Sequence, residues 1–368
     1  MKKKILIGIC LLWMLFPMRV CAQETIIDQF DFGEVEQVLD ELFPEEKLNF
    51  SELLTCLTEG EASEVWGSLS TFLWNQITYE LQNSKHGLVQ ILLIAILAAL
   101  FHNFSGIFQN QHVAELSFYV LYMLLITICL NMTQVLITSV SLGVEKLLRF
   151  FQVLGPVYFM GVAITTGSAT SIAFYNILLF VIYLVENLVT KVLLPLVQAY
   201  VVIRILNDLS KEEYLSKFGD LVHMVTKWIL RALLAGVLGI NMIQGMLAPA
   251  IDSVKRKAIL GGTEAIPFIG DAAGGITDVV LGTAVLIRNG IGIAGVVVCL
   301  AICIVPTVQM AIIAFLYRFT AAIIQPISEK RIVNCVGNMA DGANLLLQII
   351  LNTCVLFLIT IAIVTNST

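Results

Sequence analysis

Residues 291–311 read IGIAGVVVCLAICIVPTVQMA and carry no charged side chain. About 20 apolar residues in a helix cross the hydrocarbon core of a bilayer. The whole chain has the same character: of its 368 residues, 58% are hydrophobic and 13% charged, and the mean hydropathy is +0.90. Soluble domains carry about 25% charged residues. We therefore predict an all-α, polytopic membrane protein, and the net charge of −6 argues against nucleic acid as a partner.

The apolar pattern of the whole chain predicts seven or eight membrane spans. The hairpin of the first two closes through 109–112, and 154–167 is short enough to predict a re-entrant helix. Two amphipathic connectors, 141–151 and 209–227, lie along the membrane interface or form solvated loops. The candidate spans are 87–108, 113–138, 170–190, 192–206, 228–250, 291–311, 312–327 and 342–364.

The N-terminus has the pattern of a secretory signal peptide. Three lysines precede an apolar run, and small residues lead to a cleavage site after Ala22. An uncleaved first span is the competing interpretation. We therefore divide the chain into a signal peptide (1–22), an extracytoplasmic helical region (23–86) and a multi-span membrane domain (87–366).

In the extracytoplasmic region, one helical face is apolar. Its members follow the spacing i, i+3, i+4 and i+7, which is typical of an amphipathic helix. Such a short region cannot bury a large core of its own, so this face is predicted to dock on the membrane domain or on a partner protein. The candidate docking residues are Phe50, Leu53, Leu54 and Leu57.

The segment before the opening one, IPFIGDAAGGITDVVLGTAVLIRNG at 266–290, is apolar but contains Pro, Gly and three charged residues. Irregular or charged chain at membrane depth is tolerated where protein or a wet cavity surrounds it. Asp278 and Arg288 are ten residues apart, about 15 Å along a helix, so they cannot pair within one helix. Either the chain folds back near Gly282 or Gly290, or each charge pairs with another helix.

These residues define a predicted polar seam. The charges are either structural pairs inside the bundle or part of a pathway. Glu186, isolated in an apolar span, is either protonated and hydrogen-bonded or part of an ion relay. The seam candidates are Asp271, Asp278, Arg288, Asn289 and Glu186.

The remaining patterns predict no catalysis. The chain lacks HExxH, GxxxxGK[ST] and GxSxG, and we predict no catalytic residue, cofactor or metal site. Its eight cysteines form no CxxC pair and are interpreted as small packing residues. The basic cluster at 255–257 is placed on the cytoplasmic side by the positive-inside rule.

Several segments resemble the stage III sporulation protein AE family, and the resemblance covers nearly the whole chain. They are LNFSELL at 48–54, EGE at 59–61, IPFIG at 266–270, TDVVLG at 277–282, RNGIG at 288–292 and QPISEKRI at 325–332.

The resemblance implies a permease-like component of a channel between mother cell and forespore, in the mother-cell membrane around the forespore and required for forespore development. The implied partners are the other stage III A operon proteins and stage II sporulation protein Q, in an apparatus similar to specialised secretion systems. The resemblance implies no catalytic residue. The alternatives are a stand-alone permease of unknown substrate and a membrane scaffold without a transport path.

Overall fold

The computed structural model describes residues 32–42, 50–51, 111–166, 168–209, 214–263, 270–326 and 328–367, with four single positions between 74 and 96. Within these ranges, the side chains of 111–118, 164–170, 244–284, 286–287 and 366–367 are not described. Every regular element in the described ranges is helical, which confirms the all-α prediction.

The helices are α1 (Gly33–Leu42), α2 (Gln111–Thr166), α3 (Ser168–Leu188), α4 (Leu194–Leu209), α5 (Ser216–Thr263), α6 (Gly270–Ile324) and α7 (Lys330–Ser367). A π-helical turn, Val189–Leu193, joins α3 to α4 without interrupting the helical chain. Pro195 explains the turn, because proline has no N–H and its ring clashes with the carbonyl four residues earlier. The N–H of Leu194 instead bonds the carbonyl of Val189, five residues back.

The long helices run up and down, so their ends gather at two ends of one bundle. We call these the Arg204 end, where α2, α5 and α7 begin and α4 and α6 finish, and the Arg288 end, where α2 and α7 finish and α3 begins. Helix α6 begins 18 residues before Arg288, about 27 Å of helix. Contacts along the whole length fix this arrangement. Tyr122 of α2 bonds the carbonyl of Ile205 near one end, and Tyr158 bonds Thr365 of α7 near the other.

The centre of the bundle is the α2, α6 and α7 interface. Its packing is aromatic and aliphatic, with the rings of Phe151 and Phe357 stacked 4.4 Å apart. Gly143 permits a close approach of α2 to α6, because a Cβ there would lie 3.0 Å from the ring of Pro306. Gly292 plays the same part between α6 and α7, since a Cβ would lie 2.7 Å from the hydroxyl of Thr365. Small residues of this kind are typical of close contacts between membrane helices.

The described residues contain five helices long and apolar enough to cross a membrane. They are Tyr119–Ala163, Ser171–Leu209, Ser216–Ile243, Arg288–Ile324 and Lys330–Thr365. The chain is therefore a multi-pass membrane protein, but the count of seven or eight spans is not confirmed. Segments 170–190 and 192–206 belong to one continuous helical rod, and helix α6 contains 291–311 together with 312–324. The candidate span 87–108 lies outside the described residues, apart from Val89 and Ile96.

The re-entrant prediction for 154–167 is wrong. Helix α2 continues through Pro156 to Thr166, so 154–166 is its last part. The connector at 141–151 is likewise an internal stretch of α2, and the end of 209–227 is the beginning of α5. Length rules failed here because the helices are longer than the bilayer core: the 45-residue candidate span of α2 makes about 68 Å of helix, against a core of about 30 Å.

Candidate functional site

Arg288 lies where α2, α6 and α7 meet at the Arg288 end. Its side chain is only 5% exposed. Gly161 of α2 faces it, and a Cβ on that glycine would lie 3.7 Å from the Cβ of Arg288, an ordinary van der Waals distance. One guanidinium N–H donates to Asn289 Oδ1 at 3.2 Å. Arg288 is therefore buried in the contact between α6 and α2.

Two hydroxyl groups, from Tyr158 of α2 and Thr365 of α7, lie at the level of Arg288. Tyr158 lies one turn before Gly161 on α2, and its hydroxyl donates to Thr365 Oγ1 of α7 at 3.1 Å. Gly292, one turn after Arg288, faces the same threonine. The three helices thus meet at one level, where a buried cation on α6 lies beside a hydroxyl pair that joins α2 to α7.

The interface beside this level holds a small, partly open cavity. Its volume is about 30 Å³, and it is lined by Phe151, Leu154, Gly155, Tyr158, Phe159, Leu178, Gly292, Thr360, Ile361 and Val364. The exposed lining is apolar. Among the side chains that the structure describes, this part of the α2, α6 and α7 interface is therefore closely packed.

The structure separates the predicted seam residues. Helix α6 runs unbroken from Gly270, so of the two alternatives the fold-back near Gly282 or Gly290 is excluded. Along this helix, Asp278 lies about 15 Å and Asp271 about 25 Å from Arg288, and their side chains lie outside the described set. The chain at 266–269 is likewise outside it. Among the three candidates whose side chains are described, the structure brings together Arg288 and its neighbour Asn289 and places Glu186 apart.

Glu186 lies elsewhere and faces outward. Ser171, near the start of α3, bonds the carbonyl of Phe159, which places that end of α3 at the level of Arg288. Glu186 is fifteen residues further along, about 22 Å, and its side chain is exposed. Lys191 is also exposed and donates to Asn187 Oδ1 at 2.7 Å. Neither residue contributes to the buried level at Arg288.

The predicted docking face is partly used within the chain. Phe50 is fully buried, with its ring 5.3 Å from that of Phe32, and Ser51 donates to Glu36 of α1 at 2.5 Å. Helix α1 in turn lies on α2, where Arg149 pairs with Glu41 at 2.7 Å. Phe50 therefore contacts this chain and offers no free surface. Leu53, Leu54 and Leu57 fall outside the described residues.

A second polar cluster, at the Arg204 end, is not part of the predicted seam. Asp208 is buried near the end of α4 and accepts a hydrogen bond from Asn338 of α7 at 2.5 Å. One turn earlier, Arg204 pairs with Asp220 of α5 at 2.5 Å and its guanidinium carbon lies 5.5 Å from the ring centre of Tyr200. The i, i+4 spacing of Arg204 and Asp208 in an apolar helix was the available sequence signal.

This cluster joins α4, α5 and α7 at the connections. Asn207 accepts a hydrogen bond from the backbone N–H of Leu215 at 2.8 Å, which ties the end of α4 to the beginning of α5. Arg318 of α6 pairs with Asp341 of α7 at 2.5 Å, but both side chains are substantially exposed, so this pair contributes little. The cluster holds the end of α4 against the beginnings of α5 and α7.

Comparison with known proteins places the chain in a family. The family model described as stage III sporulation protein AE matches residues 48–368, which include all the long helices. The chain belongs to the stage III sporulation protein AE family. Stage III sporulation protein AE of Bacillus subtilis (strain 168) is 24% identical over 271 residues, or 73% of this chain. The chain covers 66% of that relative's length. No solved structure matches the chain.

Both polar clusters fall inside the family match, whereas α1 lies before it. The resemblance inferred from the sequence is therefore confirmed, and a role in sporulation fits this membership.

Proposed function

We propose that this member of the stage III sporulation protein AE family is a non-enzymatic membrane component of a channel between mother cell and forespore, required for forespore development. Family membership supports the sporulation role. The observation that supports the mechanistic part is the close packing at Arg288, where the described side chains of three helices leave a cavity of about 30 Å³. A path for larger solutes would then lie between this chain and other subunits.

The proposed subunits are the other stage III A operon proteins and stage II sporulation protein Q, within a secretion-like apparatus. The proposed location is the mother-cell membrane around the forespore. A membrane scaffold is the second candidate function, because a closely packed interface also suits a protein that only holds its partners. A stand-alone permease is disfavoured by the same packing.

The up-and-down fold supports one orientation. Lys330 and Arg331 begin α7 at the Arg204 end, and Lys217 lies in the first turn of α5 there. Lys211 stands in the sequence between α4 and α5. The cluster at 255–257 is near the opposite end of α5. By the positive-inside rule, the larger group favours a cytoplasmic Arg204 end. This proposal replaces the cytoplasmic placement of 255–257.

The N-terminal region supports the same orientation. If 23–86 is extracytoplasmic and 87–108 crosses the membrane once, α2 begins on the cytoplasmic side. Helix α1 contacts Arg149, in the half of α2 nearer the Arg288 end. The Arg288 end would then face the intermembrane space, where forespore proteins can reach it.

Reconstitution distinguishes the candidate functions. We expect purified chain alone in liposomes to release no trapped small solute, and a complex isolated from sporulating cells to release it. Substrate flux through the purified chain would instead show a stand-alone permease. Absence of flux through a complex with verified composition would favour the scaffold.

A further inference from the structure

All five cysteines in the described part of the chain have sulfur neighbours. Cys335 Sγ lies 3.9 Å from Cys129 Sγ, across α7 and α2. The other three, Cys299, Cys303 and Cys354, form a separate buried trio. Cysteines used only as small packing residues have no reason to converge in this way. The trio is therefore a candidate for soft-metal binding.

The geometry of the trio fits a metal ion. Cys299 and Cys303 are one turn apart on α6, and Cys354 faces them from α7. Their three sulfur atoms all lie within 4.8 Å of one another. A three-coordinate ion with metal–sulfur bonds of about 2.3 Å holds its sulfurs about 4.0 Å apart. Small side-chain adjustments are enough to close the trio around one ion.

We propose that Cys299, Cys303 and Cys354 bind one Cu(I) ion that clamps α6 to α7. Sulfur ligands select soft ions and disfavour Mg²⁺, Ca²⁺ and Mn²⁺. Structural Zn²⁺ sites take four protein ligands, whereas among the described side chains this group offers three, all from cysteine. Cu(I) is the soft ion that three sulfurs suit.

The burial of the three cysteines determines how many of their thiols lose a proton when the ion binds. The three side chains are at most 6% exposed, so a net charge there is unfavourable. One thiolate and two neutral thiols around Cu⁺ give a site without net charge. Binding then releases one proton from one thiol and requires no electron transfer. Three thiolates would leave two negative charges in the apolar core.

Titration of the full-length protein with Cu(I) tests the proposal. The purified chain, reduced and kept without oxygen, is titrated against a chromophoric Cu(I) chelator, and proton release is followed in weak buffer. We expect one bound ion, about one proton released and an X-ray absorption spectrum of three sulfur ligands. We also expect Cu(I) to raise the melting temperature, because it binds only the folded trio.

Matched variants locate the site. Cys354→Ala should weaken Cu(I) binding by at least about 100-fold, since even supporting residues of metal sites contribute about 10–100-fold. The double variant C129A/C335A removes the other sulfur pair and should keep the ion. Cys299→Ser provides a second test with nearly unchanged volume, and circular dichroism checks that each variant is folded.

The outcomes are distinct. Loss of binding in folded Cys354→Ala or Cys299→Ser, with binding kept in C129A/C335A, supports the trio. Equal affinity of wild type and the trio variants, nitrogen or oxygen ligands in the spectrum, or no Cu(I) uptake by the wild type would overturn it.

Discussion

Arg288 is a cation buried where three helices meet, and we expect it to act as a brace. Arg288→Gln keeps a polar group but removes the charge and part of the hydrogen bonding, at a cost of about 2 kcal/mol in the free energy of unfolding. The melting temperature in detergent should fall. Arg149→Gln is the matched control, because that arginine is 56% exposed and its pair contributes little. Equal melting temperatures for the two variants would contradict the brace.

Gly342 and Gly236 have opposite surroundings, and replacing each by alanine gives a second test of the packing. A Cβ on Gly342 of α7 would overlap a methyl group of Val201, which is 1% exposed and stiff, whereas Gly236 of α5 has no neighbour within 4 Å. Gly342→Ala should destabilise the protein by about 1–3 kcal/mol. Gly236→Ala should be neutral or stabilise it by up to about 1 kcal/mol. Thermal denaturation of both variants checks this, and the reverse order would show that α7 and α4 are not packed as described.

At the scale of elements, the continuity of α6 is the main structural claim for the segment before Arg288. Gly282 lies within the helix, so Gly282→Ala should be tolerated and Gly282→Pro should cost about 3 kcal/mol. Membrane levels and melting temperatures measure both effects. A tolerated proline together with a damaging alanine would indicate the irregular, folded-back chain instead.

The sequence predicted helix type well and helix length poorly. Apolar runs such as 291–311 identified every long helix, because hydropathy reports burial in protein or lipid. Hydropathy did not reveal that 312–324 continues the same helix. No stop signal separates it from 291–311, and a length rule divides any long apolar run. The re-entrant interpretation failed similarly, because Gly155 and Pro156 are accommodated inside α2.

The candidate site was predictable only in part. Arg288 was recognisable as a costly charge in an apolar segment, and the structure places it in a buried interface. Its neighbours Gly161, Tyr158 and Thr365 come from helices distant in sequence, which residue spacing cannot reveal. The same holds for the cysteine trio, where only Cys299 and Cys303 share a local pattern.

At the scale of the whole molecule, the up-and-down fold places successive connections on opposite sides of the membrane. Single cysteines introduced as Gln325→Cys and Gly262→Cys, in a C56A background, report the Arg204 end and the opposite side of the membrane; Gln325 is exposed just after α6. A membrane-impermeant maleimide added outside intact cells should label only Gly262→Cys. Labelling of Gln325→Cys alone would reverse the proposed orientation, and labelling of both would contradict the topology.

The central claim is that this chain is a sporulation membrane component whose bundle depends on the Arg288 brace. It is tested most directly by counting heat-resistant spores of a deletion strain of the source organism, complemented with wild type, Arg288→Gln or Arg149→Gln, with membrane levels quantified. We predict that deletion abolishes spores, that wild type and Arg149→Gln restore them, and that Arg288→Gln restores fewer, in step with a lower membrane level. Normal spore numbers in the deletion strain would contradict the account.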